Sequence, residues 1–221
     1  MLKYRREFYI ERLVLSFLIA SLAMLMVFSF AYWISYKNYQ GVTNRVNIVE
    51  ENLLELRKLG ANLSCDERIL IESSKRLDEI GSKIGLLEST IGKNDLRVIE
   101  QKKLYADLEI EHFNIVRNLN YICNRSFITI LFFYSNEEEL RDESERVGFI
   151  LGTFKKRAEN RIMIYSFDYG IDYETINRLK KKYEINAIPI IVVNEKDKII
   201  LRNINQLDKY MPDTFEMKYK N

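Results

Sequence analysis

Few residues in this chain are of the types that carry out covalent chemistry. Among its 221 residues are two cysteines, Cys65 and Cys123, and one histidine, His112. So few thiol and imidazole groups exclude a disulfide-dense scaffold and a cysteine-cluster metal site, and they argue against a zinc site. The sequence also contains no glycine-rich phosphate-binding loop. Thiol or disulfide chemistry at the two cysteines is therefore one candidate activity, and we expect no bound cofactor.

A second candidate site is an acidic junction between a strand and a helix. Residues 127–151 begin with the apolar run FITILFFY, which predicts a buried strand, and end in an amphipathic helical pattern. The turn between them contains Glu137, Glu138 and Glu139 and no cysteine. Metal binding by these glutamates with Asp142 is one alternative. Adjacent residues of a helix point in different directions, which argues against a shared metal ion. We therefore prefer a solvated acidic first turn, in which the negative charges interact favourably with the helix dipole.

The two cysteines are placed symmetrically about a predicted helical turn. The sequence GKND at 92–95 separates two helical patterns, and so short a connection predicts an antiparallel hairpin. The mean position of Cys65 and Cys123 falls inside this turn, so both residues should meet at the open end of the hairpin. We therefore predict a disulfide between them, which requires an oxidising compartment. His112 lies on the inner seam, where we expect a core residue rather than a ligand.

Heptad spacing and capping residues define the predicted hairpin helices. The apolar seam, typical of a coiled coil, contains Leu70, Leu77, Ile80, Ile84, Leu87 and Ile91 in the first helix, and Val98, Tyr105, Leu108, Ile115, Leu119 and Ile122 in the second. Ser64 with Glu67 predicts a capping box at the start of the first helix, and Ser135 with Glu138 predicts another at the acidic junction.

An apolar segment near the N-terminus predicts a membrane span. Residues 13–36 contain no charged residue and are long enough to cross the hydrocarbon core. Aromatic residues gather at the far end, as at a membrane interface, and bulky residues there argue against signal-peptide cleavage. The basic residues near the span are Lys3, Arg5, Arg6 and Arg12 before it, and Lys37 and Arg45 after it. This bias predicts a cytoplasmic N-terminus and an extracytoplasmic C-terminal region in the cell membrane.

The last third of the chain alternates strands and helices. Strands are predicted at 127–134, 161–168, 188–194 and 198–202, and helices at 137–158, 173–183 and 205–211. The order βαβ-α-ββ-α predicts an α/β fold with one parallel unit followed by a β-hairpin. The strands are too apolar for exposure, so the sheet should be covered on both faces.

This order resembles the thioredoxin superfamily. The most specific part of the resemblance is KKYEINAIPIIVVNEKDKII at 181–200, in which Lys182, Tyr183, Ile185, Ile188 and Pro189 match the family pattern. The resemblance covers less than half of the chain. It implies a cis peptide bond at Pro189 and a partner-binding groove beside it. Tyr134, Ser135, Ile188 and Pro189 would line that groove.

The chain departs from the family pattern at the reactive position. The family carries Cys-x-x-Cys at the start of the helix that follows the first strand, whereas Glu138 and Arg141 occupy about those places here. A thiolate is the nucleophile in disulfide exchange, and a carboxylate cannot replace it. The sequence therefore predicts a thioredoxin-like domain without the family's redox chemistry and without catalytic residues.

These patterns divide the chain into successive segments. We predict a cytoplasmic tail at 1–12, a transmembrane helix at 13–36, a helical linker at 37–63, an antiparallel helical hairpin at 64–124, a thioredoxin-like domain at 125–212 and a C-terminal tail at 213–221. The net charge of +2 gives no indication of a nucleic-acid partner. Asn62 and Asn124 lie in glycosylation sequons, which are common by chance.

Three hypotheses for function follow. The first is a membrane-anchored, redox-inactive binding or scaffold protein for an unidentified protein partner, with an inert buried disulfide and a stalk through which the chain can form a homo-oligomer. The second is a thiol-disulfide oxidoreductase that uses a labile Cys65–Cys123 pair. The third is a purely structural coiled-coil protein with the C-terminal domain as its cap.

Overall fold

A computed structural model describes residues 2–61, 65–158 and 161–211. The helices are α1 (Leu2–Ala61), α2 (Glu67–Ile91), α3 (Leu96–Ile122), α4 (Glu138–Arg157) and α5 (Glu174–Lys182), followed by a 3-10 helix (Ile204–Tyr210); the strands are β1 (Ile128–Tyr134), β2 (Ile162–Asp168), β3 (Ile190–Val193) and β4 (Asp197–Ile199). The sequon at Asn62 and the predicted tail at 213–221 lie outside the described residues.

One continuous helix contains the predicted span. Within α1, Ile10–Gly41 is long and apolar enough to cross a membrane, and the side chains of its most apolar part are exposed in the isolated chain. Burial begins near the end of this segment, where Ser35 is only 4 % exposed. The helix then continues without a break to Ala61.

The first three helices pack together. The chain returns from α1 to α2 through a short connection, and α1 lies against both α2 and α3. At the hairpin turn, the Arg97 guanidinium lies near Tyr32 and Tyr39 of α1. The hydrogen bond to Asp95 is the main reason why the pKa of Arg97 is raised, and the two tyrosine hydroxyls add a smaller effect. Residues 37–61 of the predicted helical linker therefore belong to the same helix as the apolar segment, and α1, α2 and α3 form a three-helix stalk. The turn of the hairpin returns to the level at which the apolar segment ends.

An aspartate is the N-cap of each hairpin helix, and its carboxylate accepts a hydrogen bond from the backbone N–H two residues later. Asp66 caps α2 by accepting from the Arg68 N–H. Asp95 caps α3 in the same way. Between them, α2 ends at Gly92, whose φ of 96° lies in the left-handed region that favours glycine. The capping box predicted at Ser64 lies outside the described residues.

The capping box predicted at the acidic junction is wrong. Glu137, not Ser135, is the N-cap of α4, and its side chain makes no cap hydrogen bond. The Ser135 hydroxyl instead accepts from the Glu137 N–H at 3.1 Å, because serine bonds readily to the backbone two residues on.

A mixed four-stranded sheet forms the centre of the C-terminal α/β unit. The strand order is β2-β1-β3-β4, with β1 parallel to β2 and antiparallel to β3, and with β3 and β4 joined as a hairpin. The hairpin connection begins at Asn194 and Glu195, which both have positive φ. Strand β4, Asp197–Ile199, begins one residue earlier than the predicted strand at 198–202 and is shorter. The bond between Ile188 and Pro189 is cis.

Both faces of the sheet are covered. On one face, residues of β1 and β2 such as Phe133 and Tyr165 pack against α2, α3 and α5. On the other, residues such as Phe132 and Ile130 pack against α4 and the 3-10 helix. The stalk and the sheet therefore share one hydrophobic core, which positions the hairpin directly against the α/β unit.

The two cysteines meet at the open end of the hairpin. The sulfurs of Cys65 and Cys123 lie 1.97 Å apart, at disulfide distance, as their symmetric placement predicts. Arg125 lies beside them, with a salt bridge of 2.7 Å to Glu67 and a hydrogen bond to the Cys65 carbonyl oxygen. Cys65 is exposed and Cys123 is half-buried, so the expectation of a buried disulfide is wrong.

Replacing both cysteines by serine is expected to lower the free energy of unfolding by up to about 4 kcal/mol, because the bond joins residues separated by 58 positions and constrains the unfolded chain. Urea unfolding of the full chain in detergent, followed by circular dichroism, measures this loss. Reduced parent protein is the control and should match the double variant. An unfolding midpoint that does not move on reduction would contradict the bond.

Candidate functional site

Polar side chains gather where β1 and β2 end. The two strands are parallel, so Tyr134 at the end of β1 lies beside Asp168 at the end of β2. Ser135 and Asn136 follow β1 directly. The carboxyl ends of neighbouring parallel strands are a common place for binding sites in α/β folds.

The hairpin contributes two charged residues to this position. Lys102 of α3 donates to the Asp168 carboxylate at 2.7 Å and also contacts the Glu88 carboxylate of α2. Asn136 donates to the same Asp168 oxygen at 2.7 Å. We call Glu88, Lys102, Asn136 and Asp168 the strand-end cluster. Its side chains bond mainly to one another, and the Lys102 side chain is only 7 % exposed.

The electrostatics of the strand-end cluster keep Lys102 charged. Burial alone would lower the pKa of its ammonium group, but Tyr134, Asp168 and Glu88 together raise that pKa above its ordinary value. The ammonium also lies 5.5 Å from the centre of the Tyr134 ring, within cation–π range. Burial raises the pKa of Tyr134, whose hydroxyl stays neutral. The cluster is therefore a salt-bridge network rather than a source of a neutral nucleophile.

A cleft of about 870 Å³ opens beside this cluster, between α2 and α4. Its floor is formed by side chains of β1 and β2, including Phe132 and Ile164, and by Ala106 of α3. Two ion pairs connect the hairpin to α4 along the cleft. Lys155 contacts Asp78 at 2.5 Å, and Lys93, from the hairpin turn, lies 3.7 Å from Glu145.

Glycines line both helical walls of the cleft. They stand four residues apart on each helix, Gly81 and Gly85 on α2 and Gly148 and Gly152 on α4. A Cβ atom at Gly81 would lie 2.9 Å from the Tyr105 hydroxyl, so packing explains that glycine. At Gly85 and Gly152 a Cβ would meet nothing within 4 Å. Packing in the chain itself therefore does not require glycine at these two positions.

Glu109 brings a buried carboxyl group to the cleft wall. It is 1 % exposed, and its Oε1 accepts from the Ser166 N–H of the edge strand β2 at 2.9 Å. Its Oε2 has no hydrogen-bond partner among the described residues. The Tyr105 hydroxyl lies beside it but gives its hydrogen to the Leu77 carbonyl oxygen at 3.1 Å. Burial raises the pKa of Glu109 well above its usual range.

His112 is a core residue, as its position on the seam predicts. Its ring nitrogens lie 2.9 Å from the Ser73 and Tyr165 hydroxyls, so it connects α2 to β2. Because Ser73 donates to the Leu70 carbonyl oxygen, Nε2 donates to Ser73 and Nδ1 accepts from Tyr165. Burial lowers the pKa of His112 to about 4, so the ring is neutral at neutral pH.

The β1–β3 register pairs Phe133 with Ile190 and so puts Pro189 next to Tyr134, but only two of the four predicted groove residues line the cleft. Tyr134 and Ser135 line the cleft, whereas Ile188 and Pro189 are not among its lining residues. Glu138 is exposed at the start of α4. The other residues of the acidic junction do not converge either: Asp142 lies 3.5 Å from Arg141, and no group of three or more metal-ligating residues occurs in the described part of the chain.

Thiol chemistry lies far from this site. Cys123 follows the last turn of α3, whereas Lys102 lies near its start, so the disulfide is roughly 30 Å from the strand-end cluster at the helical rise of about 1.5 Å per residue.

Apart from Tyr134 and Ser135, the sequence patterns did not identify the residues of the cleft as site residues. Lys102 and Glu109 lie on α3, where the heptad pattern drew attention only to apolar residues. One signal was visible: Gly81 with Gly85 and Gly148 with Gly152 repeat the same spacing inside helices, where glycine costs about 1 kcal/mol relative to alanine.

No protein-family model matches this chain, and no curated protein or solved structure is significantly similar to it.

Exchanging His112 for glutamine is expected to reduce the acid sensitivity of the fold. Below pH 6.5 the unfolded chain protonates this histidine, whereas the folded chain, with a pKa of about 4, does not. Acid therefore favours unfolding, and about 3 kcal/mol of stability is lost as the pH falls from 6.5 to 4. Urea unfolding at several pH values measures the effect.

The comparison must use the difference between parent and variant. Glu109 has a raised pKa and contributes the opposite slope, because its folded form takes up a proton first. If the free energies of unfolding of the parent and of H112Q change in parallel between pH 6.5 and pH 4, the result would contradict a buried neutral His112 ring.

Proposed function

We propose that this chain is a single-pass membrane-anchored binding or scaffold protein, and that its C-terminal unit is thioredoxin-like, redox-inactive and extracytoplasmic. Its partner would be a protein, and the stalk offers a surface for a homo-oligomer. The single observation that carries a binding function is the cleft. Its volume of about 870 Å³ is in the range of ligand sites, and no cysteine lines it.

The strand topology supports the thioredoxin-like part of the proposal. A parallel βαβ unit followed by an antiparallel hairpin, with a cis bond before Pro189, agrees with what the sequence resemblance implies. At the start of α4, where that resemblance implies Cys-x-x-Cys, the chain has Glu138 and Arg141 at about those places instead. Asn136 is bonded into the strand-end cluster. These contacts favour a fixed binding surface over exchange chemistry.

Two further observations support the cellular placement. The apolar segment Ile10–Gly41 suits a membrane anchor, and the basic residues before it favour a cytoplasmic N-terminus. A pair of cysteines at disulfide distance suits an oxidising compartment on the other side of the membrane.

The oxidoreductase alternative is favoured by one specific observation. Cys65 is exposed, so an attacking thiolate has access to the disulfide. In that case the chemistry would take place at the open end of the hairpin and not at the strand-end cluster.

Full-length protein in detergent is expected to show no insulin-reductase activity, with or without the Cys65→Ser or Cys123→Ser substitution, because no cysteine lines the cleft. Turbidity of insulin in the presence of dithiothreitol measures the activity. Activity in the parent that either substitution abolishes would establish the oxidoreductase alternative instead.

A photocrosslinking amino acid introduced into the full-length chain tests whether a partner binds at the cleft. We place it at Ser82, exposed on the rim of the cleft, and at Ser89, exposed on α2 outside the cleft, as the control. In native membranes, specific adducts are expected from Ser82 alone. Gly152→Leu, which fills open space in the cleft, should abolish them, whereas Gly41→Leu, which also meets no atom within 4 Å, should not. Adducts that persist in Gly152→Leu would contradict a partner site in the cleft.

The proposed orientation predicts that protease added to intact cells removes the chain beyond about residue 40, because only the span and the short N-terminal tail are then protected. Immunoblotting with tags at both ends measures the fragments. Complete protection of a C-terminal tag, while the same protease digests it after lysis, would place the α/β unit in the cytoplasm.

A further inference from the structure

We propose that the cleft binds an uncharged apolar molecule of the bilayer, of the monoacylglycerol type, whose acyl chain lies between the glycine walls of α2 and α4 and whose oxygen accepts a hydrogen bond from Glu109. This inference adds a small-molecule ligand inside the cleft at whose rim the protein partner would bind, and it rests on the proposed binding function.

The glycine walls show that space is kept open at a cost in stability. Each glycine inside a helix costs about 1 kcal/mol relative to alanine. A Cβ would meet nothing at Gly85 and Gly152, and only the Phe132 ring at 3.8 Å at Gly148. The space in front of these backbones is bounded by apolar side chains such as Ile84 and Leu151. A slender, flexible hydrocarbon chain has the shape and polarity that such a slot accommodates.

Glu109 identifies the position of one polar group of the ligand. Its Oε1 is fixed by the edge strand, while the buried Oε2 lines the cleft without a partner among the described residues. An unsatisfied buried polar atom costs about 1–3 kcal/mol, and a ligand atom in the cleft can remove that cost. Burial raises the pKa of Glu109 and so favours its neutral form, in which Oε2 can donate to the Tyr105 oxygen beside it or to a ligand acceptor such as an ester carbonyl or a hydroxyl oxygen.

The other buried charges in the wall are already paired. Lys102 contacts both Glu88 and Asp168, and these three groups are between 7 % and 16 % exposed. Lys155, at the other end, is paired with Asp78. A charged head group beside Glu109 would meet only buried charges that are already paired, since the remaining lysine of the lining, Lys156, is exposed, so an uncharged head group is favoured at that position.

The position of the cleft indicates the bilayer as the source. Lys93 at one end of the cleft belongs to the hairpin turn. The same turn places Arg97 near Tyr32 and Tyr39, at the end of the apolar segment of α1. An apolar molecule dissolved in the membrane therefore has a short route to the cleft.

Three probes with the same oleyl chain test this assignment: monooleoylglycerol, oleylamine and oleate. Each is titrated into nanodiscs of phosphatidylcholine that contain the full-length chain, and adducts on the released protein are counted by native mass spectrometry. Monooleoylglycerol is expected to bind the parent with one site and to be preferred over the two charged probes.

Matched variants locate the site. Gly152→Leu should weaken monooleoylglycerol binding at least about tenfold, whereas Gly41→Leu, outside the cleft, provides the same substitution without the effect. Glu109→Leu, which removes the donor, should weaken binding by about tenfold. Glu109→Gln keeps a donor on the same side chain and is expected to stay within about threefold of the parent.

Distinct results overturn the assignment. Preference for oleylamine that is lost in Glu109→Gln would mean a carboxylate–ammonium site, and preference for oleate would mean an anion site. Equal binding in the parent and Gly152→Leu would mean association with the apolar helix instead of the cleft. If no probe binds but Ser82 adducts still depend on Gly152, the ligand assignment fails while the proposed binding function stands.

Discussion

The ion pairs that Lys102 makes with Glu88 and Asp168 are the constraint on which the rest of the arrangement depends. They join α2 and α3 of the hairpin to the end of β2 through groups that are almost fully removed from water. Removing one partner of a buried pair typically costs 3–5 kcal/mol, since the remaining charges are left uncompensated. Such a network fixes the distance between the hairpin and the sheet, and the cleft is the space that this distance leaves beside α4. It also occupies the ends of β1 and β2 with structural contacts.

The continuous helix α1 extends this constraint toward the membrane. Because α1 packs along the hairpin, the hairpin turn returns to the end of the apolar segment, and the strand-end cluster lies close to the turn through the hydrogen bond from Lys93 to Asn136 at 3.0 Å. The hairpin of the stalk therefore forms one wall of the candidate site. The disulfide closes the opposite end of the same hairpin, so the bundle is fixed at both ends.

The sequence was sufficient for features set by local pattern. Apolar runs located β1 and β2 within one residue, and the position of the cysteines about the turn at 92–95 predicted their pairing. Local competition explains the error in capping at the acidic junction, because Ser135 bonds to the backbone of Glu137 before the helix begins. The cleft could not be predicted, since Lys102 and Asp168 are separated by 66 positions and become partners only when the hairpin packs on the sheet. The same is true of Glu109, whose partner is a backbone N–H of an edge strand.

The most direct test of the account is the identity of what the cleft contains in the native membrane. Full-length parent, Gly41→Leu and Gly152→Leu proteins are purified from the native membrane in parallel, and small molecules extracted from each are quantified by mass spectrometry against protein. The account predicts that an uncharged apolar molecule with a carbonyl or hydroxyl oxygen accompanies the parent and Gly41→Leu at about one per chain and is strongly depleted from Gly152→Leu. Indistinguishable extracts from all three proteins would contradict it.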